Sequence, residues 1–234
     1  MRVGPYSIDE PQNYSHRSNF SLLKNNFIAL YTFITFTCLI TFWVWADRDN
    51  ARQIRYIYHY DSVVLGDLYR LFTSGFLHLD KTHLRNNMTT LFVYGLFLCY
   101  RTKMSNIKFC LLYVSAIIFS NYFAHRYYMY HLDDPNIRIL GASGAVFAVR
   151  FASLLLIPSP RNIKKINLMR ILHVCLLCYL FFNTYNKLNM LQRDDIAHEA
   201  HFGGALYGSA FALFCYPKLV FLGILADKPA TPKD

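Results

Sequence analysis

Charge is scarce in this chain: Asp, Glu, Lys and Arg make up 16% of its 234 residues, while 54% are hydrophobic and 17% aromatic. That composition is not one of an ordinary soluble enzyme, and the apolar residues are clustered. Residues 27–45, FIALYTFITFTCLITFWVW, contain no charge at all. About 20 such residues cross the hydrocarbon of a bilayer at roughly 1.5 Å per residue. Six stretches are apolar enough to be read as membrane helices: 27–45, 84–100, 108–124, 141–157, 166–184 and 200–223. Internal repeats and low-complexity tracts are missing as well, and DKPATPKD at the end reads as a disordered tail.

Acids are missing where orientation is decided. The second and fourth connections carry Arg101, Lys103, Lys108, Arg161, Lys164, Lys165 and Arg170 without one Asp or Glu. Short loops rich in Lys and Arg stay on the cytoplasmic side. With six spans, both termini then fall on that side too. The net charge of +10 is thereby a consequence of topology, and no nucleic-acid partner is expected. The expected layout is a cytoplasmic segment 1–26, a six-helix domain 27–223 and a cytoplasmic tail 224–234, an all-α multi-pass membrane protein surrounded by lipid.

A disulfide framework is not expected either, because Cys38, Cys99, Cys110, Cys175, Cys178 and Cys215 all fall in or beside the apolar runs. CLLC at 175–178 has redox spacing, but inside an apolar helix it reads as packing. The first twenty residues contain Asp9, Glu10 and two prolines. They look like neither a cleaved signal peptide nor an Arg-rich mitochondrial presequence. The first span is expected to act as an uncleaved anchor, in an endomembrane or the plasma membrane ahead of a mitochondrial one.

Against this apolar background a few polar residues stand out. GASGAVFA, residues 141–148, places Ser143 at the start of the fourth span among small residues. Taken alone, Gly144 and Ala148 at i, i+4 are also a helix-packing face. The sixth span supplies a complement in AHFGGALYG: His201, Gly204 and Gly208 share one helical face. Two such faces let backbones approach closely, which would bring the His201 imidazole within hydrogen-bond reach of the Ser143 hydroxyl. Phe147, one turn below Ser143, could stack on that imidazole.

A third group lies at the start of the second span, in HLDKTHLRNNM. His83 and Asn87 are four apart and share a face, with His78 upstream and Gly95 continuing the face below. Amides and ionisable groups at membrane depth are costly and mark function. Acyl transfer needs donors aimed at a developing oxyanion, and the Ser143 backbone N–H with the His83 and Asn87 side chains would supply them. Arg85, two residues from His83, should point away and snorkel outward. Arg150 bears a similar cost in the fourth span, lowered where that helix ends at the basic fourth loop.

Together these residues resemble the rhomboid family of intramembrane serine proteases. The resemblance rests on His78, His83 and Asn87, on G-x-S-G-x-x-x-A from Gly141 to Ala148, and on A-H-x-x-G-x-x-x-G from Ala200 to Gly208. It covers about residues 25–223 and implies a six-transmembrane-helix bundle with cytoplasmic termini. It also implies a catalytic Ser143–His201 dyad, an oxyanion hole of His83, Asn87 and Ser143, and His78 in support. Gly141, Gly144, Phe147, Gly204 and Gly208 complete the expected site. Transmembrane segments would be the substrates, cut beside small residues, with no cofactor or metal. Two departures from the family pattern are visible. Tyr69-Arg70 stands where many members have Trp-Arg in the first loop; tyrosine keeps an aromatic body and a polar tip. No glutamate lies near Cys99.

Three rival readings carry less. HEAH at 198–201 spaces two histidines at i, i+3, whereas a zinc-binding H-E-x-x-H needs i, i+4. Proteins of the derlin type and inactive rhomboids keep the fold to bind membrane clients, but they typically lose the serine or the histidine, and both are present here. A transporter would show a broken-helix repeat, and none is seen. Glu199 sits about 200° round the helix from His201 and is poorly placed as a third catalytic member. Asp194 and Asp195 in the fifth connection stay open for that role. Substrate identity and oligomeric state are not written in these residues.

Overall fold

The computed structural model describes residues 27–132, 134–156, 175, 178–189, 196–217 and 220. The charge-free run forms α1 (Ile28–Trp45). The first N–H groups of a helix have no intrahelical partner; here Ala29 N–H donates to Asn106 Oδ1 at 3.0 Å. One face of α1, with Leu30, Thr37, Thr41 and Val44, is buried. The other leaves Leu39, Phe42 and Trp43 exposed, an apolar surface suited to hydrocarbon.

The chain then enters a loop region of short helices: α2 (Ala51–Tyr56), α3 (Tyr60–Val64), α4 (Arg70–Thr73) and a 3-10 turn Ser74–Phe76. Arg70 holds this region together. Its Nε donates to Asp67 Oδ2 at 2.9 Å, and its Nη1 donates to the carbonyls of Ile54 and Ile57, each at 2.9 Å. Tyr69 adds a hydroxyl donation to Arg55 O at 3.2 Å. The Tyr-Arg pair thus performs a bracing job with its polar tip and its guanidinium. A two-stranded antiparallel ladder, β1 (Tyr58–His59) against β2 (Arg138–Ile139), ties the loop region to the segment leading into Gly141, with Tyr58 opposite Ile139.

Four further helices form the body. In α5 (Lys81–Thr102) the N-cap Asp80 accepts from His83 N–H at 2.8 Å, and Lys103 ends it in the left-handed region at φ 49°. α6 (Asn106–His131), α7 (Ser143–Leu155) and α8 (His198–Cys215) follow, with a helical stretch at 178–186 between the last two. α7 is enclosed by α5, α6 and α8 and makes its most extensive contact with α8. Nearly every residue from Gly144 to Leu154 is buried. Leu30, Leu91, Leu98, Phe109, Leu112, Ala116, Ala145 and Val149 form the main core. Asn121 in α6 docks the loop region, donating to Leu71 O at 2.8 Å and to Ser74 Oγ at 3.1 Å.

The expected spans 27–45, 84–100, 108–124, 141–157 and 200–223 fall on α1, α5, α6, α7 and α8; α6 runs seven residues further, to His131, and α8 ends at Cys215, with 218–219 and 221–223 outside the described residues. Much of the fifth, 166–184, lies outside the described residues, as do the segments 1–26 and 224–234. Among the described residues, two helices are long and apolar enough to cross a bilayer, α1 and α6. α5 has the length, but it opens on Lys81, Arg85, Asn86 and Asn87. The 13 residues of α7 rise only about 20 Å, less than the roughly 30 Å of a bilayer's hydrocarbon.

Candidate active site

Ser143 is the first residue of α7 and is half-buried. Two residues earlier, Gly141 has φ +128°, a conformation that favours glycine. Close approach requires glycine there too. A Cβ at this position would lie 2.8 Å from His83 Cε1, 2.9 Å from His83 Nε2 and 3.7 Å from Ser143 Oγ. The His83 ring and the Ser143 hydroxyl therefore flank one small space beside Gly141. Gly141 N–H donates to Ser74 O at 3.0 Å, so the loop region sets this bend. Ser143 lies in the first turn of α7, where backbone N–H groups lack helical partners and the helix dipole favours negative charge.

His78, Asn87 and Thr41 form a chain with one consistent proton arrangement. Thr41 Oγ1 donates to Phe76 O at 3.0 Å and lies 3.2 Å from His78 Nδ1; Asn87 Nδ2 lies 3.0 Å from His78 Nε2. The Thr41 proton is used on the carbonyl, so Nδ1 must carry hydrogen and Nε2 must be bare to accept from Asn87. This fixes the turn of the Asn87 amide and leaves its second Nδ2 proton for another acceptor. Trp45 Nε1 holds the His78 backbone carbonyl at 2.8 Å. The His78 and His83 rings meet edge to face with centroids 5.0 Å apart.

Burial pushes the His78 imidazole down to about 3 from its ordinary 6.5, and neighbouring His83 acts in the same direction. Below pH 6.5 the unfolded chain binds a proton here that the folded protein refuses until about pH 3. Stability therefore falls as pH is lowered through that window, by up to about 1.4 kcal/mol per pH unit for one proton. Thermal denaturation in detergent is expected to show a midpoint that drops on acidification. His78→Asn cannot take up that proton and is expected to lose this part of the slope. An unchanged slope would mean that His78 is not the group responsible.

α7 and α8 meet backbone to backbone. A Cβ built on Gly204 would collide with the Gly144 carbonyl, 2.8 Å from its carbon, and one on Gly208 would lie 2.6 Å from the carbonyl carbon of Ala148. A Cβ on Gly144 would in turn collide with the Ser120 side chain of α6 and lie 3.3 Å from Ala200 O of α8. Ser143 adjoins this contact on α7, and His201 lies one turn before Gly204 on α8. The His201 ring stacks on Phe147 with centroids 4.4 Å apart and planes 7° from parallel. Phe147 is one turn along α7 from Ser143, so the imidazole lies flat against the helix that starts with the serine.

The remaining residues singled out from the sequence have definite positions. Glu199 is buried and accepts from Tyr128 Oη at 2.9 Å. Arg85 is exposed. Gly95 admits Leu30 of α1, whose Cδ1 would stand 2.6 Å from a Cβ there. Asp194 and Asp195 lie outside the described residues. Among the described residues no three His, Cys, Asp or Glu side chains group to hold a metal ion. Arg150 is half-buried. Helical side chains lean toward the N-terminus, and its guanidinium carbon lies 5.5 Å from the Tyr94 ring centre and 5.9 Å from that of Phe147. There it lines a cavity of about 250 Å³ with Phe147, Asn183, Lys187, His198 and His201.

Sequence reasoning passed over Thr41, Trp45 and Asn121. Thr41 and Trp45 are four apart on α1, and Asn121 is an amide within an apolar run, a costly placement at membrane depth. No curated protein matches the chain. The family model of the rhomboid domain matches residues 65–218, from the loop region through α8 and well over half of the sequence. The chain belongs to the rhomboid family.

Proposed function

We propose that this protein is an intramembrane serine endopeptidase that cleaves transmembrane segments of other membrane proteins, with Ser143 as nucleophile and His201 as base. The observation that carries the reading is the α7–α8 backbone contact, which has Ser143 at its edge and the His201 ring stacked on Phe147. Neutral His201 takes the Ser143 proton as Oγ bonds to the scissile carbonyl carbon. The imidazolium then gives that proton to the leaving amine as the C–N bond breaks. Water, activated by the same imidazole, releases the acyl group and restores the serine. The backbone N–H of Ser143 and the side chains of His83 and Asn87 stabilise the oxyanion. Phe147 fixes the plane of the ring by stacking on it.

In this reading six helices cross or enter the membrane, both termini are cytoplasmic, and a polar cavity open to the outer side admits water. Small residues flank the cut, and the setting is an endomembrane or the plasma membrane. The experiment is co-expression with single-span substrates carrying small residues at the outer end of the span. Wild type is expected to yield two fragments with new ends inside or beside the span, and Ser143→Ala none. Fragments that persist in Ser143→Ala would remove the proposed nucleophile.

Orientation has its own test. Asn13 in NYS and Asn19 in NFS are glycan acceptors if they reach the lumen. With a cytoplasmic N-terminus both stay unmodified in glycosylating cells, and glycosidase treatment leaves the mobility of the protein unchanged. Glycan on either asparagine would invert the topology.

A further inference from the structure

The cavity beside His201 has a chemistry that peptide hydrolysis alone does not require. Its polar wall carries two cations, Arg150 of α7 and Lys187 at the end of the helical stretch 178–186, together with the Asn183 amide and the Thr184 hydroxyl. Among the described residues no acidic side chain lines it. Arg150 Nε is buried and has no hydrogen-bond partner among the described residues, while the guanidinium is flanked by the Tyr94 and Phe147 rings. A buried guanidinium nitrogen without a partner is costly, and an incoming anion would offset that cost. A carboxylate matches the guanidinium best, because charge-assisted hydrogen bonds to it are short and strong.

The position of the cavity relates its occupant to the reaction. His201 forms part of its wall, and His201 is the group that returns a proton to the leaving amine. The chain on the amine side of the cut must therefore pass against this ring. The volume, about 250 Å³, is below the roughly 300–1,000 Å³ of sites for whole small molecules and suits one side chain. We propose that the cavity is a specificity pocket for an acidic side chain of the substrate, Asp or Glu, within the first two positions after the scissile bond, received by Arg150 and Lys187. This inference rests on the protease reading and adds a substrate feature to it.

The test is a set of single-span substrates in vesicles of neutral lipid, identical except for Glu, Gln or Lys at those two positions. Rates are normalised to the amount of Ser143 labelled by a fluorophosphonate. Wild type is expected to cleave the Glu substrate about tenfold faster than the Gln substrate, in line with the strength of a hydrogen bond to a charged group. In Arg150→Gln the Glu-to-Gln ratio should fall close to one, in Lys187→Gln it should fall part of the way, and Arg150→Glu should shift the preference to Lys. A wild-type ratio near one would overturn the pocket without touching the protease reading, and so would an unchanged ratio in both Gln variants. If wild type cleaves none of the substrates and Ser143 does not label, the protease reading fails and the pocket with it. A repeat in vesicles containing anionic lipid distinguishes a lipid headgroup: equal acceleration of all three substrates there would assign the cavity to lipid phosphate and overturn the proposal.

Discussion

Gly204→Leu is expected to abolish labelling of Ser143 by a fluorophosphonate while the protein still inserts into the membrane. The reason is local and steric. A single Cβ at Gly204 already collides with the Gly144 carbonyl and stands 3.2 Å from Gly144 Cα. Those atoms are backbone in the first turn of α7, so no side-chain rotation relieves the clash. α8 must move away from α7, and His201, one turn earlier, moves with it. A displacement of about 1 Å can cost a hundredfold in rate although no reacting group is altered, and the four heavy atoms of leucine require more than that. Gly208→Leu acts on the same seam at Ala148 and should have the same effect. Phe214, 84% exposed on the far side of α8, provides the control: Phe214→Leu should label as wild type does. Normal labelling of Gly204→Leu would mean that Ser143 is activated without α8, and His201 would lose its role as base.

The small-residue faces that underlie this prediction were readable because they are local. Gly144 and Ala148, like Gly204 and Gly208, are one turn apart, and a helix places such pairs on one face whatever surrounds it. The apolar runs likewise announce α1 and α6 directly. What could not be read depends on contacts between distant parts of the chain. The proton arrangement at His78 needs Thr41 and the Phe76 carbonyl, and its backbone is held by Trp45, 33 residues away. The β1–β2 ladder joins two-residue strands too short to leave an alternation pattern. The surroundings of Arg150 are of the same kind: the Tyr94 ring of α5 and the wall shared with His201 come from other helices. Helix length misled in another way. The fourth apolar run has the composition of a crossing, but α7 stops at Leu155 after 13 residues, and no signal in the run marks that end.

The second large effect concerns the oxyanion. Asn87→Ala or His83→Ala is expected to lower turnover by about a hundred- to a thousandfold, roughly 3–4 kcal/mol, the cost of one lost donor in a serine protease. The two side chains would reach that role by different routes. His83 faces Gly141 directly, beside Ser143 Oγ. Asn87 is turned by His78, which accepts one of its amide protons. Breaking that orientation without removing the amide should then reproduce part of the loss. In Thr41→Val, His78 Nδ1 loses its acceptor, the Nδ1–H form is no longer favoured, and Asn87 can rotate; a smaller fall in kcat than for Asn87→Ala is expected. Arg85→Ala, on the exposed face of α5, should change turnover little, which separates the site from general damage to the helix. Labelling by a small fluorophosphonate tests the serine apart from the donors, because a variant that labels but turns over slowly has kept its nucleophile. Wild-type turnover in Asn87→Ala would take Asn87 out of the oxyanion hole, leaving His83 and the first-turn N–H of Ser143 to carry the charge alone.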